Sequence, residues 1–133
     1  MIDSIFLSPN IHVMTGGLVL LTSFLAFIII SWTVWKRKQF TTLAHMSLIV
    51  FQLSLMLQIL AGIKLLDQGL GPLQLFIHYL GGLAPIGFYL IYYWFPVDDE
   101  VKKSRIVLGV TLLSVIFVIM TFTIGSMYVP GGI

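Results

Sequence analysis

The chain contains no cysteine, which excludes disulfide bonds, thiolate metal ligands, cysteine nucleophiles and covalent cofactor attachment through a Cys-x-x-Cys-His motif. Charged residues are also scarce: Asp, Glu, Lys and Arg make up 9% of the 133 residues, whereas 59% are hydrophobic. With a mean hydropathy of +1.06, the chain has too few polar groups to cover a soluble domain. This composition is typical of an integral membrane protein.

Carboxylates are absent from every long apolar segment. The five Asp and Glu residues all fall in predicted loops or in the N-terminal tail: Asp3, Asp67, Asp98, Asp99 and Glu100. A proton-coupled transporter usually needs an acidic group at membrane depth that binds and releases a proton. The sequence therefore argues against a small transporter, and it excludes hydrolysis by paired carboxylates within the membrane.

Four apolar segments are each long enough to cross the hydrocarbon core as a helix. They cover residues 11–35, 43–66, 73–95 and 106–129. Helices and closed barrels are the spanning structures that satisfy every backbone polar group in lipid, and the connections here are short enough to force antiparallel neighbours. The sequence thus predicts a single all-α domain over residues 1–133, an integral membrane four-helix bundle with up-down-up-down topology.

Basic residues are distributed unevenly between the predicted loops. Six lie in the first and third connections, and Lys64 alone lies on the opposite side; the six are Lys36, Arg37, Lys38, Lys102, Lys103 and Arg105. Cytoplasmic loops carry an excess of Lys and Arg. We therefore expect a multi-pass protein of the cell membrane with both termini on the extracytoplasmic side.

Two histidines occupy matching positions at the starts of the first and third predicted helices. His12 is followed by Gly16, and His78 is followed by Gly81 and Gly82. In an up-down bundle both imidazoles lie at one depth on one side, and the glycines leave room for a flat ring. The pattern predicts a b-type haem whose iron is ligated by His12 and His78. The alternatives are a chlorophyll, or interfacial histidines without a cofactor.

Two polar residues of the second predicted helix could also reach a cofactor. Gln58 lies at membrane depth, where a polar side chain needs a partner; it could hydrogen-bond a cofactor edge or join two helices. Lys64 lies near the predicted haem depth and could pair with a haem propionate. The competing interpretation of Lys64 is a lysine whose charged end reaches the membrane interface.

His45, near the cytoplasmic start of the second predicted helix, has no histidine opposite it on the fourth helix. A second haem ligated by two histidines is therefore not predicted on that side. We expect an interfacial or capping histidine, with a hydrogen bond to quinone or a single bond to chlorophyll magnesium as alternatives.

A weak internal repeat relates the two halves of the chain. The first and third predicted helices share a histidine followed by a Gly-Gly-Leu sequence, and the second and fourth carry late glycines, Gly62 and Gly125. Two hairpins in the same orientation would be related by a pseudo-twofold axis along the membrane normal.

The order of His12, the segment Gln58-Ile-Leu-Ala-Gly62, and His78 resembles one four-helix half of haem A synthase. More generally, the chain is similar in plan to four-helix membrane b-type cytochromes. The resemblance implies that His12 and His78 are axial ligands. Ile11 and Val13 flank His12 where that family typically has glutamate before and arginine after, and a second half-bundle is missing. The resemblance therefore implies a cofactor-holding scaffold rather than oxidation of a haem methyl group.

Two functions follow from these patterns. The first is a small b-type cytochrome that holds one haem b for electron transfer within a larger respiratory or photosynthetic complex. Its partners would be the lipid bilayer, other membrane subunits and, as one candidate donor, quinol; nucleic acid is not expected. The alternative is a non-enzymatic accessory subunit of such a complex, ligating chlorophyll or no cofactor. In either case we do not expect an enzyme acting on its own.

Overall fold

The computed structural model describes residues 6–37, 40–70 and 76–127, and all regular secondary structure in those ranges is helical. The four helices are α1 (Pro9–Arg37), α2 (Thr42–Asp67), α3 (Phe76–Trp94) and α4 (Glu100–Met127). The predicted all-α class with four helices is confirmed. Residues 73–75, 128 and 129, which the sequence assigned to helices, lie outside the described residues.

Three of the four helices, α1, α2 and α4, are long and apolar enough to cross a membrane. Their outer faces carry large apolar side chains that water would not favour, such as Leu21 (57% exposed), Ile28 (59%) and Leu60 (61%). α3, the shortest of the four with 19 residues, is not among the three. All four predicted spans are therefore found as helices, and three of these helices are long and apolar enough to cross a membrane.

Both ends of α2 are fixed by local hydrogen bonds. At its start the Thr41 hydroxyl accepts a hydrogen bond from the amide of Ala44 (3.3 Å), as N-cap residues do. At its end Gly69 has a φ of 71°, and the amide of Leu70 donates to the carbonyl of Leu65 (2.9 Å). This left-handed residue with its 6→1 hydrogen bond is a Schellman motif, for which glycine is the preferred residue.

α4 begins earlier than the apolar pattern predicts. The Asp99 carboxylate accepts hydrogen bonds from the amides of Val101 (2.9 Å) and Lys102 (3.2 Å), so it caps a helix that starts at Glu100. Glu100 adds a negative charge to the first turn, where the helix dipole favours it. The first turns of α4 are therefore made by the charged connection, ahead of the apolar segment predicted from residue 106.

α1 and α4 form the centre of the bundle. α1 packs against both α2 and α4, and α3 packs against α4. The contact between α2 and α3 is small. Large buried side chains from three helices, Ile30, Phe51 and Val107, fill the core. One contact between α2 and α3 is the edge-to-face pair of Phe51 and Tyr89, whose ring centroids are 6.0 Å apart.

Buried hydroxyl pairs join neighbouring helices within this core. Thr22 of α1 and Ser54 of α2 lie 2.7 Å apart between their hydroxyl oxygens, and Tyr89 of α3 lies 3.0 Å from the hydroxyl of Thr111 of α4. Hydroxyl side chains allow close helix approach and satisfy each other where water is excluded. They contribute to helix association in a core where the apolar driving force is weak.

The segment before α1 is attached to the end of α2. The Gln68 side chain accepts a hydrogen bond from the Leu7 amide (2.8 Å) and donates one to the Leu7 carbonyl (2.9 Å). This two-point contact holds the first turn of α1 beside the last turn of α2. His12 of α1 consequently lies against the end of α2.

Candidate cofactor site around His12 and His78

The structure brings the two predicted histidines together. The imidazole centroids of His12 and His78 lie 6.1 Å apart, and the ring planes are inclined by 69°. His12 comes from the first turn of α1 and His78 from the first turn of α3. Both side chains are partly buried.

His78 is held by the end of α4. Its Nδ1 lies 3.1 Å from the backbone carbonyl oxygen of Thr121. A carbonyl can only accept, so this contact places the ring proton on Nδ1 and leaves the lone pair on Nε2. Histidines that ligate metals usually donate their other ring N–H to a carbonyl or carboxylate in this way, because the contact fixes the tautomer and the ring orientation.

Glycine at position 125 makes that contact possible. A Cβ atom at Gly125 would lie 2.8 Å from Cε1 of His78, closer than such atoms approach. Gly125 is four residues after Thr121, so it lies one turn along the helix, beside the Thr121 carbonyl. The missing side chain leaves the space in which the imidazole reaches that carbonyl.

His12 packs against α2 in the same manner. A Cβ atom at Gly62 would lie 3.1 Å from Cε1 of His12. Gln58 precedes Gly62 by four residues, as Thr121 precedes Gly125. The repeat suggested by the sequence therefore extends to the packing: each histidine lies on a late glycine of the helix that follows it in the chain.

The partner of His12 is nevertheless a side chain rather than a carbonyl. The Gln58 amide nitrogen lies 3.3 Å from Nε2 of His12, and the Gln58 amide oxygen contacts the hydroxyl of Thr15. Nδ1 of His12 is buried and has no hydrogen-bond partner among the described residues. Each imidazole thus has one nitrogen in contact with a polar group of the helix that follows it in the chain.

The predicted glycines lie at close helix contacts. A Cβ at Gly16 would meet the Gln58 amide nitrogen at 3.2 Å and the Phe122 ring at 3.3 Å. A Cβ at Gly81 would collide with the Thr121 hydroxyl. Gly82 is more open, with the Thr121 methyl 3.8 Å from its Cβ position. These glycines let helices approach closely, and their predicted role beside a flat ring stays a prediction.

Lys64 already has an anionic neighbour. Its ammonium nitrogen lies 2.7 Å from a carboxylate oxygen of Asp67, in an i, i+3 pair on α2. A haem propionate would have to compete with that carboxylate. The predicted pairing of Lys64 with a cofactor therefore stays a prediction, with Asp67 as its partner here.

His45 is not brought to the histidine pair. It is exposed at the start of α2 and lies edge-on to Phe40, with ring centroids 4.4 Å apart. It lies beside the N-cap residue Thr41, and its expected interfacial role stays a prediction.

Sequence reasoning did not assign Thr15, Thr121 or the late glycines, Gly62 and Gly125, to the site. The glycines were visible as part of the repeat, and both lie four residues after the residue that contacts a histidine. The matched spacing of Gln58 to Gly62 and of Thr121 to Gly125 could have indicated them. Thr121 contacts His78 through its backbone carbonyl, which a residue of any type would supply. The residue type at position 121 therefore could not indicate this contact.

Within residues 6–37, 40–70 and 76–127 no three His, Cys, Asp or Glu side chains cluster as a metal site would require, so a metal held between the two imidazoles would have to bring its other ligands with it. A metal–imidazole bond is about 2.1 Å long, and the ring centre lies about 1.1 Å further, so two imidazoles that bound one metal from opposite sides would have centroids roughly 6.4 Å apart. The observed centroid separation of 6.1 Å, between rings that lie edge-on to each other at 69°, is close to that value.

No protein-family model matches the chain, and no match was found among curated proteins or among solved structures.

Proposed function

We propose that this protein is a small membrane b-type cytochrome that holds one haem b between His12 and His78. The observation that carries the proposal is the 6.1 Å separation of the two imidazole centroids, which is close to the roughly 6.4 Å expected if both rings bound one iron. The second support is the Thr121 carbonyl, which engages Nδ1 of His78 and so leaves Nε2 as the ligating nitrogen. A haem bound there supplies a one-electron redox centre.

The proposed setting is the cell membrane, with the four helices crossing in up-down-up-down order and both termini extracytoplasmic. Two contacts support this order: His12 in the first turn of α1 packs on Gly62 near the end of α2, and His78 packs on Gly125 near the end of α4. The excess of Lys and Arg in the first and third connections supports the orientation. α3 would complete the bundle as a fourth, shorter crossing.

The proposed activity is electron transfer. If both His12 and His78 bound the haem iron, no position on the iron would be left open, which disfavours oxygen chemistry. In this proposal the residues of the chain bind and orient the haem. The Thr121 carbonyl and the Gln58 amide hold the imidazoles, and the helix contacts exclude water. The proposed partners are the other subunits of a respiratory or photosynthetic complex, with quinol as the candidate donor. The order of His12, Gln58, Gly62 and His78, which resembles half of haem A synthase, agrees with this ligand assignment.

A second function, an accessory subunit without a redox role, is favoured by one observation. The spaces beside Gly16 and Gly81 are filled by side chains of the chain itself, those of Gln58, Phe122 and Thr121. In that function the histidines would serve as polar contacts between helices, or one of them would ligate a chlorophyll.

The test is a difference spectrum of the purified chain. We expect protein from a haem-supplied host to show a Soret band and a sharp α-band on reduction, and to yield haem b on extraction. His12→Ala and His78→Ala should each lose these bands, whereas His45→Ala, the matched control at an exposed histidine, should keep them. A colourless but helical and monodisperse wild-type protein would refute the cytochrome and favour the accessory subunit; extracted chlorophyll would identify the pigment alternative.

A further inference from the structure

The end of the bundle away from the histidine pair carries exposed cations and exposed aromatic rings together. Lys36 lies in the last turn of α1, and Lys102 and Arg105 lie in the first turns of α4; all three are exposed. Trp35 (84% exposed) and Trp94 (82%) lie in the last turns of α1 and α3. We call the surface made of these five residues the basic end.

The packing of α1 on α4 brings the cations of the basic end to one level. Gly16 of α1 lies against Phe122 of α4, with 3.3 Å between its Cβ position and the ring. Lys36 follows Gly16 by twenty residues, and Lys102 precedes Phe122 by twenty residues. At about 1.5 Å per residue, each cation lies about 30 Å along its helix from that contact. Because a hydrocarbon core is about 30 Å thick, both cations would reach the same surface of a membrane.

The cations of the basic end have no anionic partner in the described part of the chain. Lys103, beside them, forms a long ion pair with Glu100 (3.5 Å), and Lys64 pairs with Asp67 (2.7 Å) at the other end of the bundle. No ion pair of the described residues involves the three cations of the basic end. A counter-charge for them must therefore come from outside the protein.

The carboxylates of the connection before α4 leave this positive charge in excess. Asp99 caps the helix through the amides of its first turn, and Glu100 is paired with Lys103. Asp98 is exposed. Against these three acids, the first and third connections hold six Lys and Arg residues, so the net charge at this end is positive.

The aromatic rings fix the depth at which the cations lie. The ammonium nitrogen of Lys36 is 5.5 Å from the ring centroid of Trp32, within the reach of a cation–π contact. Tryptophan side chains prefer the headgroup level of a membrane. An ammonium held beside such a ring lies at the level of the lipid phosphates.

We propose that the basic end binds the headgroups of anionic phospholipids, which supply the negative charge that the protein lacks there. A phosphatidylglycerol headgroup carries one net negative charge, and its phosphate oxygens accept hydrogen bonds from ammonium and guanidinium groups. The planar guanidinium of Arg105 suits a two-point contact with such a phosphate. In phosphatidylcholine the same phosphate is neutralised by choline. This binding needs the proposed membrane setting but does not depend on a haem.

The experiment uses the position of the three tryptophans of the chain. Trp32, Trp35 and Trp94 all lie in the last turns of α1 or α3, so their fluorescence reports which lipids surround the basic end. The purified full chain is reconstituted in phosphatidylcholine vesicles that contain brominated phosphatidylglycerol or brominated phosphatidylcholine, whose bromine quenches tryptophan on contact. We expect phosphatidylglycerol to bind about fivefold more strongly, the contribution of one Lys or Arg near an anionic surface. The preference should decline at high salt.

Charge removal tests which residues carry the preference. The triple variant Lys36→Gln/Lys102→Gln/Arg105→Gln keeps long polar side chains and removes three charges, so the relative binding constant should fall toward one. Lys64→Gln is the matched control: it removes a cation that lies at the other end of the bundle and is already paired with Asp67. This control should keep the wild-type preference.

A second variant keeps the test informative if the triple variant does not fold. Asp98→Asn removes an exposed carboxylate from the same end, so the preference for phosphatidylglycerol should rise. Equal quenching by the two lipids in wild type, or no quenching by either, would overturn the proposal. A preference that high salt or the triple variant leaves unchanged, an equal loss in Lys64→Gln, or no rise in Asp98→Asn would overturn it as well. Failure of the cytochrome is read separately, from the absence of a haem spectrum in wild type.

Discussion

The imidazole of His78 lies so close to Gly125 that a methyl group there would come within 2.8 Å of Cε1 of the ring. The same relationship joins His12 to Gly62, at 3.1 Å. In each case a glycine near the end of an even-numbered helix leaves the space that the histidine of the preceding helix occupies. The separation of the two rings therefore depends on two glycines as well as on the histidines themselves.

Gly125→Ala should displace His78 from the Thr121 carbonyl. Overpacking of a close contact costs about 1–3 kcal/mol, so we expect the affinity for haem to fall about tenfold or more. The measurement is a haem titration of the purified protein, followed by the Soret band. Gly109→Ala, on the same helix with no atom within 4 Å of its Cβ position, is the control and should bind haem like wild type. Equal binding by the two variants would contradict the assignment.

Gly62→Ala should have the same kind of effect on His12 but a smaller one. Its Cβ would lie 3.1 Å from the ring, a contact that a shift of a few tenths of an ångström relieves. We expect the affinity for haem to fall less than in Gly125→Ala, by under about tenfold. The two variants are compared in one titration series. A larger loss in Gly62→Ala would show that the packing distances do not govern ligand placement.

Gly81→Ala should weaken the contact between α3 and α4, because its Cβ would collide with the Thr121 hydroxyl. We expect a loss of about 1–3 kcal/mol in the free energy of unfolding, measured by titration with denaturing detergent. Thr121→Ala removes the hydroxyl but keeps the carbonyl that binds His78. The double variant Gly81→Ala/Thr121→Ala should therefore regain most of the lost stability, and no recovery would argue against this packing.

The Thr22–Ser54 hydroxyl pair should contribute modestly to the association of α1 and α2. The expected coupling in a double-mutant cycle of Thr22→Val and Ser54→Ala is about 0.6 kcal/mol, the average for such pairs in membrane proteins. The measurement is again the free energy of unfolding for the four proteins of the cycle. Strict additivity of the two substitutions would show that the hydroxyls do not interact.

The helices could be predicted from the sequence because lipid requires long apolar segments with satisfied backbones. The proximity of His12 and His78 could also be expected, since two residues at the same end of alternate helices come to the same depth. What apolar patterning could not supply is where α4 begins. The carboxylate of Asp99 caps α4 within the charged connection. A hydropathy pattern does not show such a cap, because the residues around it are polar.

The partners of the histidines were harder to predict. Gln58 was expected either at a cofactor edge or between helices, and it lies between helices, in contact with His12. Whether a given glycine faces a ring, a side chain or lipid depends on helix rotation, which glycine-rich membrane sequences define poorly. Gly16 and Gly81 were expected beside a cofactor, and their Cβ positions are closed by Gln58 and Thr121. Gly62 and Gly125, which the sequence did not assign to the site, lie against the imidazoles.

The most direct test of the central claim, that His12 and His78 ligate one iron, is low-temperature electron paramagnetic resonance of the oxidised, haem-loaded chain. With one haem per chain, the account predicts a low-spin ferric signal. The 69° between the ring planes predicts that this signal is strongly anisotropic, as near-perpendicular imidazoles give. His12→Ala and His78→Ala should each convert the signal to high spin or abolish it. A high-spin signal in wild type, or a low-spin signal that survives either substitution, would contradict the account.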